Sequence, residues 1–181
     1  MSSVRVGTLP AGTLLESVRA AGAYTDCYVT DVPGAIAHST YVEAFYTTSL
    51  FKIERQLLAW FAQRPASDAD AKALAHGRVT SFSAWRVEAR SESELLLADM
   101  SGRTKSWLMT QAAGHADGTP GTRLHFGSAV LPVRRHADDT SGNMGVAFQA
   151  LLGFHKLYSR LLLGSARARA LALTPAGHTQ K

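Results

Sequence analysis

The sequence has a single cysteine, Cys27, which excludes an internal disulfide and every multi-cysteine metal motif. It has no run of about 18 consecutive apolar residues, so no membrane span is expected. Its first twenty residues, MSSVRVGTLPAGTLLESVRA, hold no continuous apolar core of signal-peptide length. These absences predict a cytoplasmic protein. The seven histidines show neither H-x-x-x-H nor H-x-H spacing, so no metal site is expected. There is no G-x-x-x-x-G-K-[ST] phosphate loop and no G-x-G-x-x-G fingerprint, so no nucleotide cofactor is expected either. No G-x-S-x-G nucleophile elbow is present.

Acid is missing from the C-terminal segment. Residues 144–181 carry Lys156, Arg160, Arg167, Arg169 and Lys181 and no Asp or Glu, so the whole net charge of +5 lies there. Nucleic-acid binding needs a clustered basic face with base-reading or stacking groups. The preferred reading is helix-dipole complementation near a helix end, and no nucleic-acid partner is expected. A composition 46% hydrophobic and 18% charged is that of a globular chain whose core needs no covalent staple. Its organisation reads as a loosely attached arm over 1–22, one domain over 23–173, and a tail over 174–181.

Periodicity places the elements. A short helical turn is expected near 14–18 and a first strand over 24–32, stopped by Pro33-Gly34. Thr40-Tyr-Val-Glu43 has the capping-box pattern, and 50–63 has helical spacing with a buried face. Ser67-Asp-Ala-Asp70 opens another short helix that Gly77 closes. From 81 the period falls to two: strands are expected over 81–90, 95–100, 104–113 and 122–132, joined by short polar turns into an antiparallel meander. The first strand and these four make about five. A helix over 144–173 closes the chain, with Phe148, Leu151, Leu152, Phe154, Tyr158, Leu161 and Leu162 on its apolar side.

Several segments carry a family likeness: Glu43-Ala-Phe-Tyr-Thr-Thr, Arg103-Thr-Lys-Ser-Trp-Leu-Met, Leu124-His-Phe-Gly-Ser-Ala-Val and Gly153-Phe-His-Lys-Leu-Tyr-Ser-Arg. With the order of elements, they resemble small uncharacterised bacterial proteins placed near the START and polyketide-cyclase-like superfamily. That resemblance covers about 24–173. It implies an α+β fold of helix-grip type, an antiparallel β-sheet wrapped around a long C-terminal helix, with a ligand cavity between them. Seven strands are usual in that superfamily, two more than the periodicity supplies. A cone-shaped α+β fold of the nuclear-transport-factor type is the alternative.

The residues that would serve such a cavity are His155, Ser159, Tyr158, Trp107, Phe126, Asp99 and Arg123. His155 and Ser159 are four apart and share the apolar side of the last helix. They either orient a ligand, with His155 a candidate general base, or satisfy themselves against backbone. Trp85, Trp107, Tyr28, Phe126 and Tyr158 are candidates for the cavity wall and equally for ordinary core. Asp99 more simply caps the Ser101-Gly102 turn or pairs with Arg103 or Lys105 than does acid–base work. Ser128, His125 and Asp26 make a triad on paper only, because a triad is defined by geometry. Cys27 reads as a buried structural thiol. Three functions stay open: binding of a small hydrophobic, apolar or lipid-like molecule; an enzyme of polyketide-cyclase or hydrolase type in the same cavity; and a homodimeric module built on 41–61.

Overall fold

The computed structural model describes residues 3–52, 66–114, 118–132 and 144–174, with side chains of the last stretch from Lys156 onward. Seven strands form one antiparallel sheet: β1 (Arg5–Val6), β2 (Tyr24–Pro33), β3 (Ser81–Phe82), β4 (Trp85–Arg90), β5 (Glu94–Asp99), β6 (Thr104–Gly114) and β7 (Pro120–Val130). Their order across the sheet is β1-β2-β7-β6-β5-β4-β3. Among the described residues, four helices with both ends described accompany them, α1 (Leu14–Ala20), α2 (His38–Tyr46), α3 (Asp68–Ala75) and α4 (Met144–Leu173), and a further helix begins at Ser49. The fold is therefore α+β, with the C-terminal helix packed on the sheet.

The strands beyond the five expected are β1 and β3, each two residues long. Two residues cannot establish a period. The single strand expected over 81–90 is split at Ser83, which takes a left-handed backbone conformation (φ 52°). A register shift between Val87 and Ala89 in the β4–β5 pairing then reverses the alternation. Trp85 and Val87 pack on one side of the sheet, whereas Ala89 packs on the other.

Two helix starts carry a side-chain cap from their own sequence. The Ser67 hydroxyl accepts from the Asp70 N–H while the Asp70 carboxylate accepts from the Ser67 N–H, the reciprocal cap its sequence predicts. The Thr40–Glu43 pattern, in contrast, lies inside α2, whose N-cap is Ala37 with no side-chain cap. Helix resumes at Ser49, and Thr48 caps it by accepting from the Phe51 N–H at 3.1 Å. Most of the helix expected over 50–63 lies outside the described residues.

Both faces of the sheet are covered. On the helix face, Tyr28, Val32, Leu95, Leu97, Leu108, Leu124 and Phe126 pack with α2, α3 and the α4 stripe of Leu162, Leu163, Ala166 and Ala170. On the arm face, Cys27, Val29, Leu96, Trp107, Met109 and Ala129 pack against Leu9 and Leu15 from the N-terminal arm. The arm, expected loose, is thus a structural layer: β1 pairs with β2, and Leu15 is fully buried. Leu161, expected on the apolar side of α4, is 55% exposed. No helix among the described residues is long and apolar enough to cross a membrane.

Candidate functional site

The central hairpin fixes the candidate site. The β6–β7 register sets Ser106 opposite Ser128 and Leu108 opposite Phe126. The β2–β7 register sets Ser128 opposite Asp26. Alternation then carries Ser106, Ser128 and Asp26 in one row on the helix face, beside Leu108 and Phe126. The Ser128 hydroxyl donates to Asp26 Oδ1 at 2.7 Å, and the Ser128 N–H donates to the same oxygen at 3.0 Å. Tyr46 Oη and Ser106 Oγ lie 3.3 Å apart.

Above this row is a cavity of about 170 Å³, lined by Phe45, Phe51, Trp85, Thr104, Lys105, Ser106, Phe126, Ser128, Tyr158 and Leu162. Its floor is the sheet and its roof is α4 with the α2 side. Aromatic packing supports the walls: the Phe45 and Phe126 rings are 4.9 Å apart, and the Tyr46 and Phe51 rings are 4.9 Å apart, edge to face. The Trp85 Nε1 and Ser159 Oγ atoms are buried and have no hydrogen-bond partner among the described residues. Lys105 is bonded to Glu88. A larger, open groove of about 550 Å³ runs along the far end of the same hairpin, lined by Ile36, Thr110, Ala112, Gly114, Pro120 and Thr122 among others.

The seven candidates from the sequence divide clearly. Tyr158 and Phe126 line the cavity. Ser159, one residue from Tyr158, is buried in the same stretch of α4. The side chain of His155 lies outside the described residues. Trp107 is fully buried on the opposite side of the sheet, where its indole N–H donates to Glu94 Oε2 at 2.7 Å. Asp99 caps its turn, accepting from the Ser101 hydroxyl and from the Arg103 and Thr104 N–H groups. Arg123 pairs with Asp31 at 2.7 Å, and this bond holds the Asp31 carboxyl below its usual range. Phe45, Phe51, Ser106 and Leu162 join the cavity with no signal beyond their spacing. Ser106 is legible only as the residue two before Leu108 on one strand.

Asp26 and Ser128 meet as neighbouring strands allow, but His125 points from the other side of β7 and no triad forms. Burial, with Arg123 nearby, pushes His125 down to about 4, and burial does the same to His38, whose Nε2 lies 3.3 Å from the Leu108 carbonyl oxygen. No cluster of His, Cys, Asp or Glu among the described residues is arranged to hold a metal ion. Burial, reinforced by Asp26, pushes the Cys27 thiol up to about 12. Against an ordinary value of 9.0, this lowers the thiolate fraction about a thousandfold. Cys27 is therefore expected to resist a disulfide reagent at pH 8 in the folded protein and to react on unfolding. Rapid reaction in the folded state would contradict this burial.

Of the described apolar residues in the stretch considered for a dimer face, Tyr41, Val42, Ala44, Phe45, Tyr46 and Phe51 are buried within the chain and Leu50 is half-buried. Compared with known proteins, the chain matches no family model and no curated protein.

Proposed function

We propose that the protein binds a small, mainly apolar molecule in the cavity between the sheet and α4, in the manner of a helix-grip, START-like domain. The observation that carries this reading is the cavity itself. An aromatic-walled, partly open space of about 170 Å³ lies where the last helix crosses the sheet. Ligand sites are concave and mainly apolar with a few polar groups, and this one sets the rings of Phe45, Phe51 and Phe126 beside Ser106 and Ser128. Seven strands and a long terminal helix are compatible with that fold type. Enzymatic turnover in the cavity has no comparable support: neither His125 nor His38 is among the residues that line it.

Native mass spectrometry of gently purified protein tests the reading. A reproducible added mass is expected, lost on denaturation and absent from Leu162→Trp, which fills the cavity. A bare polypeptide mass, unchanged when small aromatic molecules are added in excess, would overturn it.

A further inference from the structure

One side of α4 is turned to solvent, and it stands whether or not the cavity is filled. Leu157 is 58% and Leu161 55% exposed, one turn apart on that side. Gly164, three residues after Leu161, faces the edge of the sheet: a Cβ there would lie 3.8 Å from Val4 Cγ2. Val4 leads into β1. There alternation sends Arg5, opposite Val29, to the arm face and Val6, opposite Tyr28, to the helix face. Val6 is 65% exposed, and the Arg160 guanidinium lies 6.0 Å over the ring of the same Tyr28. Val6, Arg160, Leu157 and Leu161 thus share one flank, made by the edge strand and the outer side of α4. Among the described large apolar side chains, only Met100 besides these three is more than half exposed.

The flank is basic. Lys156 and Arg160 are exposed and take part in no ion pair among the described residues. Asp26, on the helix face of β2, is turned inward: its Oδ1 accepts from Ser128 and its Oδ2 is buried. Asp31 is on the arm face, held by Arg5 and Arg123. Dipole complementation, the reading the sequence favours for these charges, does not account for them. The last turn of α4 carries no basic residue, and Lys156 and Arg160 sit near the middle of its 30 residues, where the dipole has no end to complement.

The chemistry of the flank selects among anionic partners. Aliphatic side chains beside Lys and Arg suit the headgroup boundary of an anionic membrane. Nucleic acids are held by basic grooves with aromatic stacking groups, and the exposed apolar side chains here are aliphatic. A stable protein interface engages about 20–30 residues a side, far more than the described flank holds. A second copy of the same flank would bring like charges together.

We propose that this flank rests on the surface of an anionic lipid bilayer, with Val6, Leu157 and Leu161 in the headgroup–acyl boundary and Lys156 and Arg160 against the lipid phosphates. The contact is peripheral and reversible, because the aliphatic area is small and each cation adds a modest increment.

Sedimentation of the full chain with vesicles tests this. Vesicles containing about 30% phosphatidylserine are expected to bind the protein about tenfold more tightly than vesicles of phosphatidylcholine alone. Binding should fall between about 0.1 M and about 0.5 M salt, as screening shortens the reach of the charges. Lys156→Gln should weaken it about fivefold, the increment of one cation near a charged surface. The paired change of Leu157→Ser with Leu161→Ser keeps the charge and should weaken it about tenfold. All three side chains are exposed, so the denaturant midpoint should stay in place.

No binding to either vesicle at low salt, or equal binding to both, would overturn the proposal even if a variant failed to fold. Binding that survives the paired leucine change but not Lys156→Gln would overturn it in favour of a purely ionic partner such as nucleic acid. A dimer seen by light scattering and lost on the paired leucine change would overturn it in favour of a second copy. Either sign of the vesicle result leaves the cavity reading untouched.

Discussion

Replacing Leu15 with alanine is expected to lower the stability of the protein by about 2–5 kcal/mol, the range for emptying a fully buried leucine site. Leu15 lies in the arm, far from the cavity, yet it is buried completely. It seats on Gly127 of β7. A Cβ at Gly127 would come within 2.4 Å of Leu15 Cδ2, 2.9 Å of the Asp26 carbonyl oxygen and 3.0 Å of Trp107 Cε3. The glycine is thus required by close approach. The helix that carries Leu15 is fixed at its start, where the Leu14 N–H donates at 2.8 Å to Glu94 Oε2, the oxygen that also receives the Trp107 indole. Gly127→Ala is accordingly expected to cost about 1–3 kcal/mol by overpacking. The double variant should cost less than the sum, because Leu15→Ala removes one of the three clashes. Chemical denaturation of the four proteins measures the cycle. A loss below about 0.5 kcal/mol for Leu15→Ala would mean that the arm does not dock.

This docking explains why the arm is hard to read from sequence and the rest is not. The long strands and α4 reveal themselves by period: the helix spans Met144–Leu173, where the spacing puts it. Leu14–Ala20 is only seven residues, and it is held by a glycine and a tryptophan more than 90 residues away, which no local pattern records. The assignment of Trp107 to a cavity wall meets the same difficulty. Lys105 through Met109 are buried without interruption, so alternation says that Trp107 and Leu108 face apart without saying which faces the helix. Only the register, with Leu108 opposite Phe126 and Leu95, decides it. Phe126 and Tyr158 are legible because each shares a face with residues that are apolar for obvious reasons. The lining residues that sequence does not single out, Phe45, Phe51, Thr104, Ser106 and Leu162 among them, come from three separate elements and the start of the helix at Ser49. The bulge in β4 is likewise silent in sequence, and it places Arg90 where its guanidinium caps α3, donating to the Leu74 carbonyl at 2.6 Å.

Acidification from pH 7 to pH 4 is expected to destabilise the protein by several kcal/mol, with His125 and His38 as the main cause. His125 is buried and His38 half-buried, both as neutral rings, with pKa values held at about 4 against an ordinary 6.5. Desolvation is the leading cause in each, and the cations Arg123 and Arg5 near His125, and Arg90 near His38, act in the same direction; Asp31 opposes them at His125. Between about pH 6.5 and 4 the unfolded chain binds protons that the folded chain refuses, so stability falls as pH falls through that window. Lowering a pKa by one costs about 1.36 kcal/mol of differential interaction between the two protonation states, which sets a ceiling of about 3 kcal/mol per histidine. Below pH 4 the two histidines add no further loss. There the Asp31 carboxylate, whose folded pKa is depressed by its bond to Arg123, begins to take up its proton and release that pair. Denaturant midpoints at pH 7.5, 6.5, 5.5 and 4.5 test this. His125→Gln is expected to be less stable than the unaltered protein at pH 7.5, where the ring packs edge-on against Trp107 with centroids 5.9 Å apart. The difference should narrow at each lower pH, because glutamine carries no proton to exclude. His38→Gln should flatten the same window independently. A pH slope identical in all three proteins would show that these two rings are not held neutral by the fold.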